Sequence, residues 1–232
     1  MALHLQTFKT RTITAVLFAA VMLVGLFWNL WSFIALFTII HFGCWYEFVK
    51  LMKKIYGNKY LIYCFPGLIY ITVPLLAMIE LGVVWRIYTV VNVNEILYQP
   101  LIPCAIVFSI WINDTMAYMV GSLIGKTPFS KISPKKTWEG TIGGMVLCVV
   151  VIALLGHYIP LAKTIAVQHW VVVAAICAVF GTAGDLLESK IKRLADVKDS
   201  GSFMPGHGGF LDRFDSLLVA TPFVWLYLNV FI

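Results

Sequence analysis

The chain has 232 residues, 61% of them hydrophobic and 12% charged, with a net charge of +6. Soluble domains carry about 25% charged residues, and the mean hydropathy here is +0.90. A soluble globular protein, a disordered chain and a coiled coil are excluded, which leaves an all-α polytopic membrane protein. In a soluble protein the positive charge would suggest nucleic acid. In a membrane protein it reads as loop charge that sets orientation, and no nucleic-acid partner is expected.

Apolar runs predict about seven spans, over residues 12–28, 30–49, 60–79, 100–120, 141–159, 170–187 and 216–232. Lys9 and Arg11 precede the first run as in a signal peptide, but apolar sequence continues to Tyr46, which favours an uncleaved span. Asn29 alone separates the first two spans. Pro66 and Pro74 fall in the third and Pro103 at the start of the fourth, as neighbouring helices can tolerate. Residues 81–99 are too polar and short to span and read as an interfacial segment. The chain divides into N-terminal helices, 1–110, and a second transmembrane region, 111–232, with a polar loop over 184–215, all within one integral-membrane unit.

With the N-terminus in the cytoplasm, 15 of the 17 Lys and Arg residues fall in cytoplasmic segments, and only Arg86 and Lys163 fall outside. That bias supports both the span count and the orientation. Cys44, Cys64, Cys104, Cys148 and Cys177 each sit in an apolar run without a C-x-x-C pair, and read as small buried hydrophobes.

Two polar segments carry the chemistry. In the first, Ser133-Pro134 reads as a helix start, with Ser133 as N-cap and Lys135 and Lys136 in the first turn. Lysines there oppose the helix dipole. An anion held by free N–H groups and both ammonium groups accounts for them; the alternative is loop charge bias alone. The second segment runs from Asp185 to Asp215 and holds five basic and six acidic residues. Carboxylates beside a polyphosphate repel it unless a cation lies between, and Mg²⁺ bound by one or two carboxylates plus phosphates meets that need. Asp212 and Asp215 share a face if helical. Gly206, Gly208 and Gly209 flank His207 and permit close backbone approach. The start of the last span is a second place for an anion. The alternative for this segment is a set of solvated salt bridges. Asp185 and Asp114 are carboxylates within spans, where they are costly and mark function; Asp114 is equally suited to a structural pairing with lysine. Glu47 and His41 are weaker candidates. A cation transporter would also use intramembrane acids, but the chain has no internal repeat and its acids gather on one side.

Ser189-x-Ile-Lys192-Arg193-x4-Lys198-Asp199-Ser200-Gly201-x2-Met204-Pro205-x-His207-Gly208-Gly209-Phe210-x-Asp212-Arg213-Phe214-Asp215 resembles the signature of phosphatidate cytidylyltransferases, or CDP-diacylglycerol synthases. Ile132-Ser-Pro-Lys-Lys-Thr-Trp-Glu-Gly140, Asp114-x2-Ala-Tyr118 and Gly184-Asp185-x2-Glu188-Ser189 also look like motifs of that family. The resemblance implies transfer of the cytidylyl group of CTP to phosphatidic acid with release of pyrophosphate. It implies Mg²⁺, a monovalent cation such as K⁺ at one metal position, and a homodimer. Asp185 and Asp212, with Asp215, would be the metal ligands. Asp185, Lys198, Asp199, His207, Asp212, Arg213 and Asp215 are the catalytic candidates. Asp114, Ser133, Lys135, Lys136, Lys192, Arg193, Ser200, Gly208 and Gly209 are the substrate-binding candidates. A CTP-dependent lipid kinase, or a cytidylyltransferase for another lipid phosphate, is the nearest alternative. The expected setting is the inner membrane of a bacterium, with the active site facing the cytoplasm.

Overall fold

The computed structural model describes residues 5–83, 98–130, 132–204 and 208–232, with side chains from Thr12 onward. Among these the long elements are all helical: α1 Leu5–Phe27, α2 Leu30–Tyr56, α3 Tyr60–Cys64, α4 Val73–Val83, α5 Leu101–Ile124, α6 Trp138–Tyr158, α7 Val167–Leu194 and α8 Leu211–Phe231. Five segments are long and apolar enough to cross a membrane: Leu30–Cys64, Leu101–Ile124, Trp138–Tyr158, Val167–Leu194 and Leu211–Phe231. Shorter apolar stretches, Thr12–Phe27 and Leu68–Val83, fall where the first and third spans are expected. The segment expected at the interface lies mostly outside the described residues.

Local chemistry explains the breaks. Asn29 caps α2: its side chain accepts from Ser32 N–H at 2.9 Å, and Ser32 Oγ accepts from Asn29 N–H at 3.1 Å. This reciprocal box separates α1 from α2 with a single residue between the apolar runs. Pro66 and Pro74 divide the third span. Pro74 cannot donate to the Tyr70 carbonyl, and Leu68–Thr72 takes up a π turn in which Val73 N–H reaches back to Leu68.

The core is continuous, built on Met22, Leu26, Phe33, Phe37, Ile40, Ile71, Ile106 and Leu218. Two pairs of neighbours frame the polar region. At two points α5 and α6 approach almost backbone to backbone: a Cβ at Gly144 would lie 2.7 Å from the Ala117 Cβ, and one at Gly140 would lie 2.8 Å from the Gly121 Cα. Such small-residue contacts are a common way for membrane helices to approach closely. Between α7 and α8, a Cβ at Gly184 would overlap the Asp215 carbonyl.

The structure corrects two expected boundaries. The helix after Ser133-Pro134 begins not there but at Trp138, capped by Thr137, whose hydroxyl accepts from Gly140 N–H at 3.1 Å. Ser133–Lys136 is a turn, closed by Lys136 N–H on the Ser133 carbonyl at 3.1 Å. It tips a short hairpin in which Phe129 N–H donates to Lys136 and Trp138 N–H to Thr127. Pro at the second turn position suits this as well as it suits a helix start. Glu139 fastens the hairpin base, accepting from Lys126 N–H at 3.2 Å and the Thr127 hydroxyl at 2.8 Å. Glu139→Ala is therefore expected to leave the helices intact but loosen the turn that carries Lys135 and Lys136, so that trypsin cleaves there several-fold faster; timed proteolysis with circular dichroism checks this.

The second correction concerns the 184–215 segment, which is not all loop. α7 continues to Leu194, and α8 begins at Leu211. A Schellman closure ends α7: Asp196 takes a left-handed φ of 50°, Val197 N–H bonds the Lys192 carbonyl, and Asp196 N–H bonds Arg193. Asp185, Glu188 and Lys192 consequently lie on one face of a continuous helix. The connection itself is residues 195–210.

Candidate functional site

A cavity of about 520 Å³ opens between the α5–α6 hairpin and the helices α5, α7 and α8. Phe18 of α1 lines its apolar side. Asn113, Asp114, Ala117 and Tyr118 come from α5, Lys135 and Lys136 from the hairpin, Thr141 from α6, Asp185 from α7, and Asp212, Arg213 and Asp215 from α8. The two polar segments read separately in the sequence thus form one site. Of its charged lining residues, four are acidic and three basic.

Lys136 forms an ion pair with Asp185 across this cavity, joining the hairpin to α7. Asp114 and Asp215 lie within electrostatic reach of Asp185 and of Lys136. Asp215 is buried, and its Oδ1 accepts from Ser216 N–H at 2.6 Å. Lys136 is thus the ammonium nearest this group of carboxylates, with Arg213 also acting on Asp114.

Asp212 is held from several directions. Its Oδ1 accepts from Lys192 Nζ at 2.5 Å, and its Oδ2 from Ser200 N–H at 2.8 Å, the Ser200 hydroxyl at 2.9 Å and Gly209 N–H at 2.7 Å. Gly208 sits at φ +83°, and a Cβ there would overlap the Asp212 carboxylate. Only glycine takes up that conformation and that proximity readily. Lys192 also pairs with buried Glu188 at 2.5 Å. Its ammonium lies between two carboxylates rather than free in the cavity.

The remaining candidates are placed differently. Ser133, Lys135 and Arg213 reach the cavity. Arg193 is exposed and donates to the Val197 carbonyl at 3.2 Å. Lys198 and Asp199 are exposed on the connection and are not among the lining residues. His207 lies outside the described residues.

Glu47 of α2 was underweighted in the sequence. It is buried and accepts from the Ser200 hydroxyl, Phe210 N–H and Leu211 N–H. The start of α8 is thus occupied by carboxylates of the protein itself, Glu47 and Asp212, and is not the open anion site that the sequence suggests. Glutamate within an apolar helix was the available signal; its partners lie more than 150 residues away.

Among the described residues no three His, Cys, Asp or Glu side chains are grouped to hold a metal ion unaided. A Mg²⁺ ion bound by one or two carboxylates completes its octahedron with water and substrate phosphate, so a site of this kind does not require such a group. The acidic excess, and the ammonium held against Asp185, fit a cation at that position.

Among the described residues the fold is that of a helical membrane protein with a polar chamber lined by both acidic and basic side chains. The chain belongs to the cytidylyltransferase family, which matches residues 68–231. It is similar to phosphatidate cytidylyltransferase 4, chloroplastic, of Arabidopsis thaliana, at 44% identity over 118 residues, 50% of this chain and 29% of that protein. The phosphatidate cytidylyltransferase of Bacillus subtilis is 44% identical over 123 residues, 53% of this chain and 45% of that protein. That of Staphylococcus saprophyticus is 42% identical over 114 residues, 49% of this chain and 43% of that protein. Each match spans less than half of the relative's length.

Proposed function

We propose that the protein transfers the cytidylyl group of CTP to phosphatidic acid, giving CDP-diacylglycerol and pyrophosphate. The observation that carries this reading is the convergence of Asp185, Asp212 and Asp215 with Lys135, Lys136 and Arg213 on one cavity at the end of the helices. Family membership and the names of the relatives supply the nucleotide and the lipid.

A lipid phosphate is already an anion at neutral pH and needs no strong base. Its oxygen attacks the α-phosphorus of CTP, the bond from that phosphorus to the bridging oxygen breaks, and pyrophosphate leaves. The main obstacle is repulsion between two anions. Lys135, Lys136 and Arg213 offset it by binding and aligning phosphate oxygens. Lys136 is released from Asp185 as the phosphates arrive. Asp185 and Asp212, with Asp215 in support, would hold Mg²⁺, and K⁺ suits a second position. The bound metal would neutralise charge on the transferring phosphoryl group. Lys192 and Ser200 fix Asp212. Residues 111–232 carry the chemistry and 1–110 support it.

Lys54 Nζ donates to the Asp196 carbonyl at 3.3 Å, which brings the basic end of α2 to the same side as both catalytic connections. With the basic loops inside, that side is the cytoplasm. The setting is a bacterial inner membrane, with two chains forming a homodimer. Incubating the purified protein with phosphatidic acid, Mg²⁺ and CTP labelled at the α- or γ-phosphate tests the reaction. Label from the α-phosphate is expected in lipid, with equimolar pyrophosphate. Transfer of the γ label would make it a lipid kinase and refute the proposal.

A further inference from the structure

Glu47 belongs to α2, outside the part of the chain matched by the family, yet its carboxylate lies within the α7–α8 connection. It is 3% exposed. Oε1 accepts from Phe210 N–H at 2.9 Å; Oε2 accepts from Leu211 N–H at 3.0 Å and from the Ser200 hydroxyl at 2.7 Å. Ser200 Oγ also lies 2.9 Å from Asp212 Oδ2. The Ser200 hydroxyl therefore sits between the two carboxylates and donates its single proton to one or the other. Gly201 and Gly209 wrap closely around Glu47, and a Cβ on either would overlap its carboxyl group. One turn earlier on the same face of α2, Gly43 makes room for the Phe210 ring, which a Cβ there would meet at 2.5 Å.

Burying a carboxylate is costly unless hydrogen bonds replace its water. Among the described residues no Lys or Arg pairs with Glu47. Its partners are two backbone donors at the start of α8 and one hydroxyl of the connection. Packing α2 against its neighbours gives no reason for a charge at this depth, whereas fixing that connection does.

We propose that Glu47 is a positioning residue. It locks the start of α8 and Ser200, and through them fixes the position of Asp212 at the cavity wall. It is not among the cavity-lining residues, so it acts through Asp212 rather than on substrate. The kinetic part of this assignment rests on the transferase reading above; the locking of the connection does not.

The test compares wild type, Glu47→Gln and Glu47→Ala in detergent. Turnover is measured against Mg²⁺ and CTP concentration, and trypsin cleavage is followed after Arg193 and Lys198, both exposed. Glu47→Ala is expected to lower kcat by about 10–100-fold, as the loss of a partner that orients a metal ligand does. It is also expected to raise the Mg²⁺ concentration for half-maximal rate and to speed cleavage of the connection. Glu47→Gln keeps the volume but turns an NH₂ towards a backbone donor, so it falls between the two; if the alanine variant does not assemble, the glutamine variant decides. Unchanged kcat, Mg²⁺ dependence and cleavage would overturn the proposal. So would a loss of kcat with both other readouts unchanged, which marks a purely structural role. A wild type inactive with CTP and phosphatidic acid would sink the transferase reading, while the cleavage rates would still decide whether Glu47 locks the connection.

Discussion

Asp185→Asn is expected to reduce CTP-dependent pyrophosphate release by about 10²–10³-fold while the helices stay assembled. The magnitude is that of removing one preorganised charge from a site where charge develops. The fold should survive because the Lys136–Asp185 pair lies at the cavity, its side chains 32% and 27% exposed. Water can solvate the ammonium that loses its partner, and exposed pairs contribute little to stability. Asparagine keeps the shape of aspartate but not the charge that grips a cation. Pairing Asp185→Asn with Lys136→Met should therefore not restore turnover, although it removes the unpaired ammonium. Initial rates, with circular dichroism as the check on folding, measure this. Turnover close to wild type in Asp185→Asn would refute the metal assignment.

Lys192→Met should act first on stability, at a cost of about 3–5 kcal/mol. The Lys192 ammonium is 2.5 Å from Glu188 and 2.5 Å from Asp212, whose side chains are 1% and 5% exposed. Removing it leaves two buried carboxylates without their shared cation, and the loss of one partner of a buried pair is what makes the cost large. Turnover should fall as well, because Asp212 loses one of its anchors. Thermal melting in detergent tests this. An unchanged melting temperature with a raised KM for CTP would instead place Lys192 on the substrate, as the sequence alone suggests.

Helical class, the polar segments and the charged residues of the cavity lining were legible because hydropathy and charge report directly on environment. The motifs around Asp114, Lys136, Asp185 and Asp212 meet at one cavity. What was not legible depends on partners distant in the chain. Ser133-Pro134 carries a valid helix-start signal, but the same residues serve a turn once Thr127 and Trp138 pair. Lys192 reads as a free cation until α8 brings Asp212 beside it. Glu47 reads as a minor feature of an apolar helix until the chain returns with Phe210 and Leu211. The third span is interrupted because two prolines withdraw donors from its ladder, an effect that mean hydropathy does not register.

The bare contact between α5 and α6 bears on how the chamber accommodates a bulky guest. Where backbone rests on backbone, at Ala117 against Gly144 and Gly121 against Gly140, no rotamer can change to let the helices slide. Asp114, one turn from Ala117, and Thr141 are thus fixed to an unyielding rear wall. Widening is easier on the hairpin side, where Ser133, Lys135 and Lys136 reach the cavity from a turn held by hydrogen bonds that can be exchanged one at a time.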